Sequence, residues 1–468
     1  MPHRIWIYIL LCLTILWPVG LTLAQEAQPQ GPVYIVQQGD TLWDIAVRFG
    51  ITWQDLAQAN AITDVGQLKA GDALVIPGLN GIQGVLVTEQ VPFGETLRSL
   101  SRRYQVPQDA LVRLNRVVSP AELYSGYFLI VPQNTAGGPP GEKVTLSKGQ
   151  SLLEAALMHG VNPWNLVGSN GLENTWEALP GDVLRLPGEG DADQPGALPE
   201  GIERLELSPQ SLVQGDTAEV RLVTSEEVNL TGALGEHPLH FFGDGGKGYV
   251  VLQGIHAMAE PGLYPLTIVG EMSDGTPIGF TQTVPIGSGD FNYSQLTVPP
   301  ETVDPANTGP EDQIWTSLAQ PVTPERLWNG IFQSPVAQPS PCGFTSYFGE
   351  RRSYNGSPYN YFHTGLDFCY NYNLETNEIY APAAGVVVFA GPMTVRGNAT
   401  MIDHGWGVYT GYMHQEEIRV KKGDPVEAGQ VIGIVGETGR VNGPHLHFEV
   451  WVDGVQVDPM DWLEGKFP

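Results

Sequence analysis

The chain has 468 residues, of which 51 are acidic and 23 basic, giving a formal net charge of -28. That length exceeds what one hydrophobic core supports and predicts about three to five domains, while the acidity excludes nucleic acid and an anionic membrane face as partners, since both need clustered Lys and Arg. At the N-terminus Arg4 precedes an apolar run from Ile5 to Ala24, followed by polar Gln25-Glu26-Ala27-Gln28-Pro29. Residues 1–24 therefore read as a secretory signal cleaved after Leu23-Ala24, or as an uncleaved anchor, because the run is nearly long enough to span a bilayer. Membrane association follows only in the second case. Leu11 before Cys12 argues against lipidation. Without the leader only Cys342 and Cys369 remain, and two cysteines in an exported chain point to a disulfide.

The first third is a repeat. Gly39-Asp40-Thr41-Leu42 recurs as Gly94-Glu95-Thr96-Leu97 and Gly149-Gln150-Ser151-Leu152, and the same shift relates Leu56, Leu111 and Leu166, then Asn60, Asn115 and Asn170, then Pro77, Pro132 and Pro187. The copies occupy 33–78, 85–132 and 143–188. Each predicts strand, helix, helix, strand. In the first, Thr41 and Thr52 open helices that bury Leu42, Ile45, Ala46 and Phe49, then Leu56 and Ala59.

These residues resemble the lysin motif, LysM, with its Gly-Asp-Thr-Leu opening, central Asn and closing Gly-x-x-Leu-x-Ile-Pro. The resemblance implies binding to N-acetylglucosamine-containing glycans such as peptidoglycan, through the loop holding Gly39, Asp40 and Thr41. Copies two and three depart from the pattern: Arg98, Ser99 and Ser101 replace Trp43, Asp44 and Ala46, and Gln150 replaces Asp40. Those copies are degenerate against the motif, and the residues leave open whether they still bind glycan or act as spacers.

From Ile202 to Ile286, short β-prone runs alternate with Gly, Pro and Asp, which predicts an immunoglobulin-like β-sandwich over 201–287. His237, His240 and His256 lie here without a companion ligand motif and read as surface or packing residues. Residues 288–333 are Pro-rich and read as a linker that contains a short helix around Pro310 to Ala319 and is able to wrap against the last domain.

The last domain, 334–466, is Val-, Gly- and aromatic-rich with almost no helix signal, and predicts an all-β fold. Five of the ten histidines fall between His363 and His447. In His445-Leu446-His447-Phe448 the two imidazoles share one strand face, and His363-Thr364-Gly365-Leu366-Asp367 supplies an imidazole near a carboxylate. A catalytic zinc needs about three protein ligands and an open position. Any two of these histidines with Asp367 satisfy it, and the residues alone leave open which.

Phe362-His363-Thr364-Gly365-Leu366-Asp367, Asp403-His404-Gly405, Thr410-Gly411-Tyr412-Met413-His414 and Gly443-Pro444-His445-Leu446-His447 together resemble the lysostaphin-type zinc metalloendopeptidases, which cut peptide cross-links of peptidoglycan. The resemblance implies one Zn2+ per chain held by His363, Asp367 and His447, with His414 and His445 as unliganded catalytic histidines, in the family's duplicated hybrid motif. Asn398 and Tyr361 are further candidates for lining the substrate groove, and His404, in the expected hairpin turn Asp403-His404-Gly405-Trp406-Gly407, reads as structural. The expected protein is multidomain and exported or envelope-associated, with LysM repeats on the glycan strands and the peptidase on the peptide stems. The alternative is a non-catalytic wall-binding activator of other hydrolases, as in relatives that have lost their metal.

Overall fold

The computed structural model describes residues 31–64, 66, 68–79, 81–119, 123–133, 141–188, 196–337 and 343–467. The expected signal or anchor and Cys342 lie outside the described residues, so the bridge to Cys369 stays an expectation. No helix among the described residues is long and apolar enough to cross a membrane. The chain divides into two compact units between Leu86 and Val87.

The first unit holds strand Val33–Ile35, helices Leu42–Phe49 and Trp53–Ala59, and strand Ala73–Val75 antiparallel to the first. Thr41 and Thr52 cap the helices by accepting the N–H of Asp44 and Asp55, satisfying donors that a helix start leaves open. The second helix buries Leu56 and Ala57 rather than Ala59. Its inner face is the row Leu56, Ala57 and Asn60, which turns Ala59 outward. Asn60 explains its own recurrence: its amide donates to the carbonyls of Leu56 and Val75 and accepts the Val75 N–H, tying helix to strand. Asn115 and Asn170 make the same three bonds.

In the second unit the same strand-helix-helix-strand arrangement recurs around helices Leu97–Tyr104 and Gln108–Asn115, and around Leu152–Met158 and Pro163–Ser169. The departures in the second copy have local causes. Arg98 pairs with Asp182 at 3.0 Å and donates to the Glu177 carbonyl, and Arg102 reaches Asp182 at 2.8 Å, so this helix docks on the third copy. Ser99 completes a capping box with Thr96. Its glycine loop is also engaged: the Gly94 N–H donates to Gln282 of the middle domain, and Phe93 packs edge-on against Phe280 at 5.5 Å.

The middle domain is a sandwich of a five-stranded sheet, running His237–Pro238, Leu230–Leu234, Gly262–Glu271, Pro277–Gly287 and Leu212–Val213, and a four-stranded one, running Phe242–Gly243, Gly248–Gly254, Thr217–Thr224 and Ile202–Ser208. In strand Gly248–Gly254, Val251 points into the sandwich core. Val250 and Leu252, with Phe242, point the other way into the core of the last domain, among Trp406, Val452, Val457 and Trp462. A strand covered on both faces reads as a continuous apolar run, here Tyr249-Val250-Val251-Leu252.

Residues 288–333, expected as a linker, are folded onto the last domain. Strand Tyr293–Leu296 pairs in parallel with Arg351–Tyr354. The expected helix begins one turn early, at Pro305, because Asp304 caps it and proline is tolerated at the first position. Trp315, Trp328 and Phe332 are buried.

The last domain is all-β apart from a terminal helix, Pro459–Leu463. Its main sheet runs Phe344–Ser346, Leu366–Cys369, His445–Val452, Val408–Ile418, Gly397–Asp403, Gly385–Met393 and Pro425–Val426, so the histidine strand is central. One face, with Leu446, Phe448 and Val450 fully buried, packs on the large core shared with the sandwich. The other is covered at Tyr409, Met413 and Trp451 by Trp315.

At that junction the Asp458 N–H donates to the Gly215 carbonyl, and burial raises the carboxyls of Asp216 and Asp458 each to about 6. Between about pH 4 and pH 6 the folded chain holds protons that the unfolded chain has released, so stability falls as pH rises through that window. Asp458→Asn, which keeps an acceptor for the Met460 N–H, is expected to raise the thermal midpoint at neutral pH and to give no gain near pH 4; melting curves at the two pH values check it.

Candidate metal centre and active site

The site forms where the central strand meets its neighbour. Cross-strand register places Asp367 directly opposite His447 and Cys369 opposite His445, while Met413 faces His447 from the other side. Partners on one face of a sheet have neighbouring side chains, so Asp367 and His447 meet at once. His363 enters from the turn before strand Leu366–Cys369. That turn needs Gly365, because a Cβ there would stand 2.2 Å from the Phe448 carbonyl oxygen and 3.0 Å from His447 Nε2.

Three donor atoms converge. His363 Nε2 is 3.0 Å from Asp367 Oδ1 and 3.0 Å from His447 Nδ1, which is itself 2.8 Å from the same carboxylate oxygen. The far side of each ring fixes its tautomer. His363 Nδ1 donates to the Tyr347 carbonyl at 2.8 Å. His447 Nε2 lies 3.3 Å from the Glu449 carboxylate and donates to it. With both rings neutral, two nitrogen lone pairs and a carboxylate oxygen aim at one point. Such a set calls for a cation, and imidazole nitrogen with one carboxylate suits zinc.

The electrostatics agree. Burial opposes charge on His447, but hydrogen bonds to Asp367 and Glu449 outweigh it and raise its pKa to about 9. Asp367 is held well below the usual carboxylate range despite burial, by His363 and His447. Burial lowers His363. The centre therefore takes up positive charge readily.

His414 and His445 stand beside the three ligand candidates, with ring centroids 4.9 Å apart, and His414 is 6.2 Å from His447. Each donates Nδ1–H to a backbone carbonyl, His414 to Thr438 at 2.8 Å and His445 to Gly443 at 2.9 Å, leaving Nε2 as an acceptor. Burial, then His445 and His447, press His414 down to about 3, so it is neutral at ordinary pH. His414 has φ +64° at a break in strand register, a left-handed conformation that a non-glycine residue adopts only at a cost of roughly 1–3 kcal/mol.

The remaining expected residues have other surroundings. Asn398 donates its amide to the Gln415 carbonyl at 3.0 Å, bracing the strand beside His414. Tyr361 is exposed and packs edge-on against Tyr354 at 5.3 Å. His404 is fully buried between the Ala384 carbonyl and Thr410. His240 meets Asp453 at 3.0 Å, and His256 packs on Phe362. Asp40 accepts from Tyr34 and the Gln37 N–H, Thr41 is a helix cap, and Gly39 takes φ +92°, so the Gly-Asp-Thr signature shapes its own loop.

Glu449 was not singled out by the sequence reading. It is 1% exposed and collects five contacts: Trp315 Nε1 at 2.8 Å, Trp451 Nε1 at 2.8 Å, Thr364 Oγ1 at 2.6 Å, Gln456 Nε2 at 3.0 Å and His447. Burial opposes its ionisation, but His447, Arg396 and Thr364 hold its pKa down at about 2. A carboxylate behind a ligating histidine orients the ring. Its place two residues after His447, on the same strand face, was the available signal.

Comparison with known proteins gives the class. The Peptidase family M23 model matches residues 361–459, and the LysM domain model matches 34–77 and 90–132. The chain thus carries an M23 peptidase domain and LysM domains. It is 43% identical over 98 residues to the peptidoglycan DD-endopeptidase ShyA of Vibrio cholerae serotype O1, covering 21% of this chain and 22% of that protein. It is 42% identical over 98 residues to the DD-carboxypeptidase/endopeptidase Mpg of Neisseria meningitidis serogroup B, with the same coverage, 21% and 22%. The alignments therefore span 22% of the length of these curated relatives. The catalytic domain of lysostaphin from Staphylococcus simulans is 28% identical, over 29% of this chain and 91% of that one, with a TM-score of 0.21.

Proposed function

We propose that the chain is an exported zinc-dependent endopeptidase that hydrolyses peptide cross-links of bacterial peptidoglycan. The observation that carries this reading is the convergence of His363 Nε2, Asp367 Oδ1 and His447 Nδ1 on one point. Zinc bound there would supply a Lewis acid and an activated water at neutral pH. His445 and His414, with Nδ1 tied to carbonyls, present Nε2 to accept a proton from the attacking water and to return it to the leaving amine. Once protonated, either ring also stabilises negative charge developing on the scissile carbonyl oxygen.

The front of the chain holds the enzyme on its substrate. We assign glycan binding to the first repeat, treat the second and third as degenerate LysM copies serving as spacers, and read the sandwich as immunoglobulin-like. The docking of the Gly94 loop on Gln282 and of Arg98 and Arg102 on Asp182 supports the spacer role. Tethering raises the local concentration of cross-links, which compensates for weak contacts at the peptidase.

Incubation with purified cell walls tests both parts. Mass spectrometry is expected to find cross-link-cleaved muropeptides, with release abolished by a chelator and restored by zinc, and a chain lacking residues 31–78 is expected to sediment less with the walls. A zinc-loaded chain that sediments with walls and cleaves nothing would replace the enzyme by an activator of other hydrolases.

A further inference from the structure

Helix Pro305–Leu318 lies outside the segment matched by the peptidase family model, yet it touches the supports of both halves of the site. Glu311, 8% exposed, sets its carboxylate into the turn at 394–396 and accepts three consecutive backbone N–H groups, from Thr394 at 2.6 Å, Val395 at 3.0 Å and Arg396 at 3.0 Å, together with Arg396 Nη1 at 3.1 Å. The Arg396 carbonyl in turn accepts the N–H of His414 at 2.9 Å. That bond holds the one histidine of the group with a left-handed backbone, a conformation that persists only where its surroundings enforce it. One turn further along the same face, Trp315 is fully buried and donates Nε1–H at 2.8 Å to the Glu449 oxygen that also receives Trp451. Glu449 holds His447 through its other oxygen.

We infer that this helix is a positioning element of the peptidase: Glu311 sets His414 through the 394–396 turn, and Trp315 sets the ligand His447 through Glu449. The inference rests on the zinc peptidase reading above. It makes the upstream segment part of the working enzyme, with two separable outputs, because the two side chains act on residues of different role. Loosening the turn lets His414 relax to an ordinary backbone conformation and misplaces its Nε2, which affects turnover and not the metal. Removing the indole N–H leaves Glu449 less constrained, which affects the metal first. A helix that only covered apolar surface would give neither signature.

The test uses the full chain with Glu311→Gln, Trp315→Phe and, as a control on the exposed face, Ser317→Ala. Turnover and KM on a defined cross-linked muropeptide, zinc affinity by competition with a chromophoric chelator, and the thermal midpoint are measured for each. Glu311→Gln is expected to lower kcat ~10-fold with KM and zinc affinity unchanged, and Trp315→Phe to weaken zinc binding ~10-fold; Ser317→Ala should match the parent chain. If Glu311→Gln melts below the assay temperature, Glu311→Asp, which keeps the charge but shortens the reach, carries the same comparison. Unchanged kcat in the Glu311 variant together with unchanged zinc affinity in the Trp315 variant overturns the inference, as does an equal loss of both quantities in each. If the parent chain binds zinc and cleaves nothing, the function reading fails, and the zinc affinity of Trp315→Phe alone decides the inference.

Discussion

Replacing His445 by alanine is expected to leave about one zinc per chain while turnover falls ~10²-fold or more. His445 stands 3.8 Å from Asp367 Oδ1, against 2.8 Å for His447, and its Nδ1 is held by the Gly443 carbonyl. It is close enough to serve the reacting groups and too far to belong to the donor triangle. His447→Ala should instead lose metal and activity together, since it removes one of the three proposed ligands. Metal analysis beside the rate assay separates the cases, and loss of zinc from the His445 variant would mean that ligand and catalyst are exchanged in our assignment.

Glu449→Gln is expected to cost roughly 1–3 kcal/mol in stability and to weaken zinc binding ~10- to 100-fold, although it changes a single atom. Both carboxylate oxygens face donors only. Oε2 receives two indole N–H groups, and Oε1 receives Thr364, Gln456 and His447. Whichever way the amide of a glutamine is turned, its NH2 meets hydrogen-bond donors in a fully buried site. Denaturant melts of the metal-free chain and zinc competition check the two effects separately. A variant with parent-like stability and affinity would show that the carboxylate charge is not what orients His447.

The candidates for the donor triangle were legible because the strand period puts His445 and His447 on one face and because His363 and Asp367 come four residues apart around a glycine, but which imidazoles join Asp367 came only from the family resemblance. The β-rich domain was readable for the same reason, since its strands carry strong β propensity. The periodic Asn60, Asn115 and Asn170 marked the repeats before any bond was known. What stayed hidden depends on distant pairing. Nothing near Glu311 or Trp315 indicates a role at residues 83 and 134 positions further on. The prolines of 288–333 read as linker, whereas Trp315, Trp328 and Phe332 within that stretch enter the interior. Tyr249-Val250-Val251-Leu252 passed for an ordinary sandwich strand, and its unbroken apolar run was the sign that something covers its second face.

That second face carries a practical lesson about cutting the molecule. Phe242, Val250 and Leu252 share one interior with Trp406, Val452 and Trp462, and Trp462 also donates to Thr217 at 3.1 Å. A peptidase fragment trimmed to its family boundary would leave this surface bare to solvent and invite clumping. The two parts therefore do not trade as interchangeable cassettes: a chain without the sandwich would need a different back wall for its last domain.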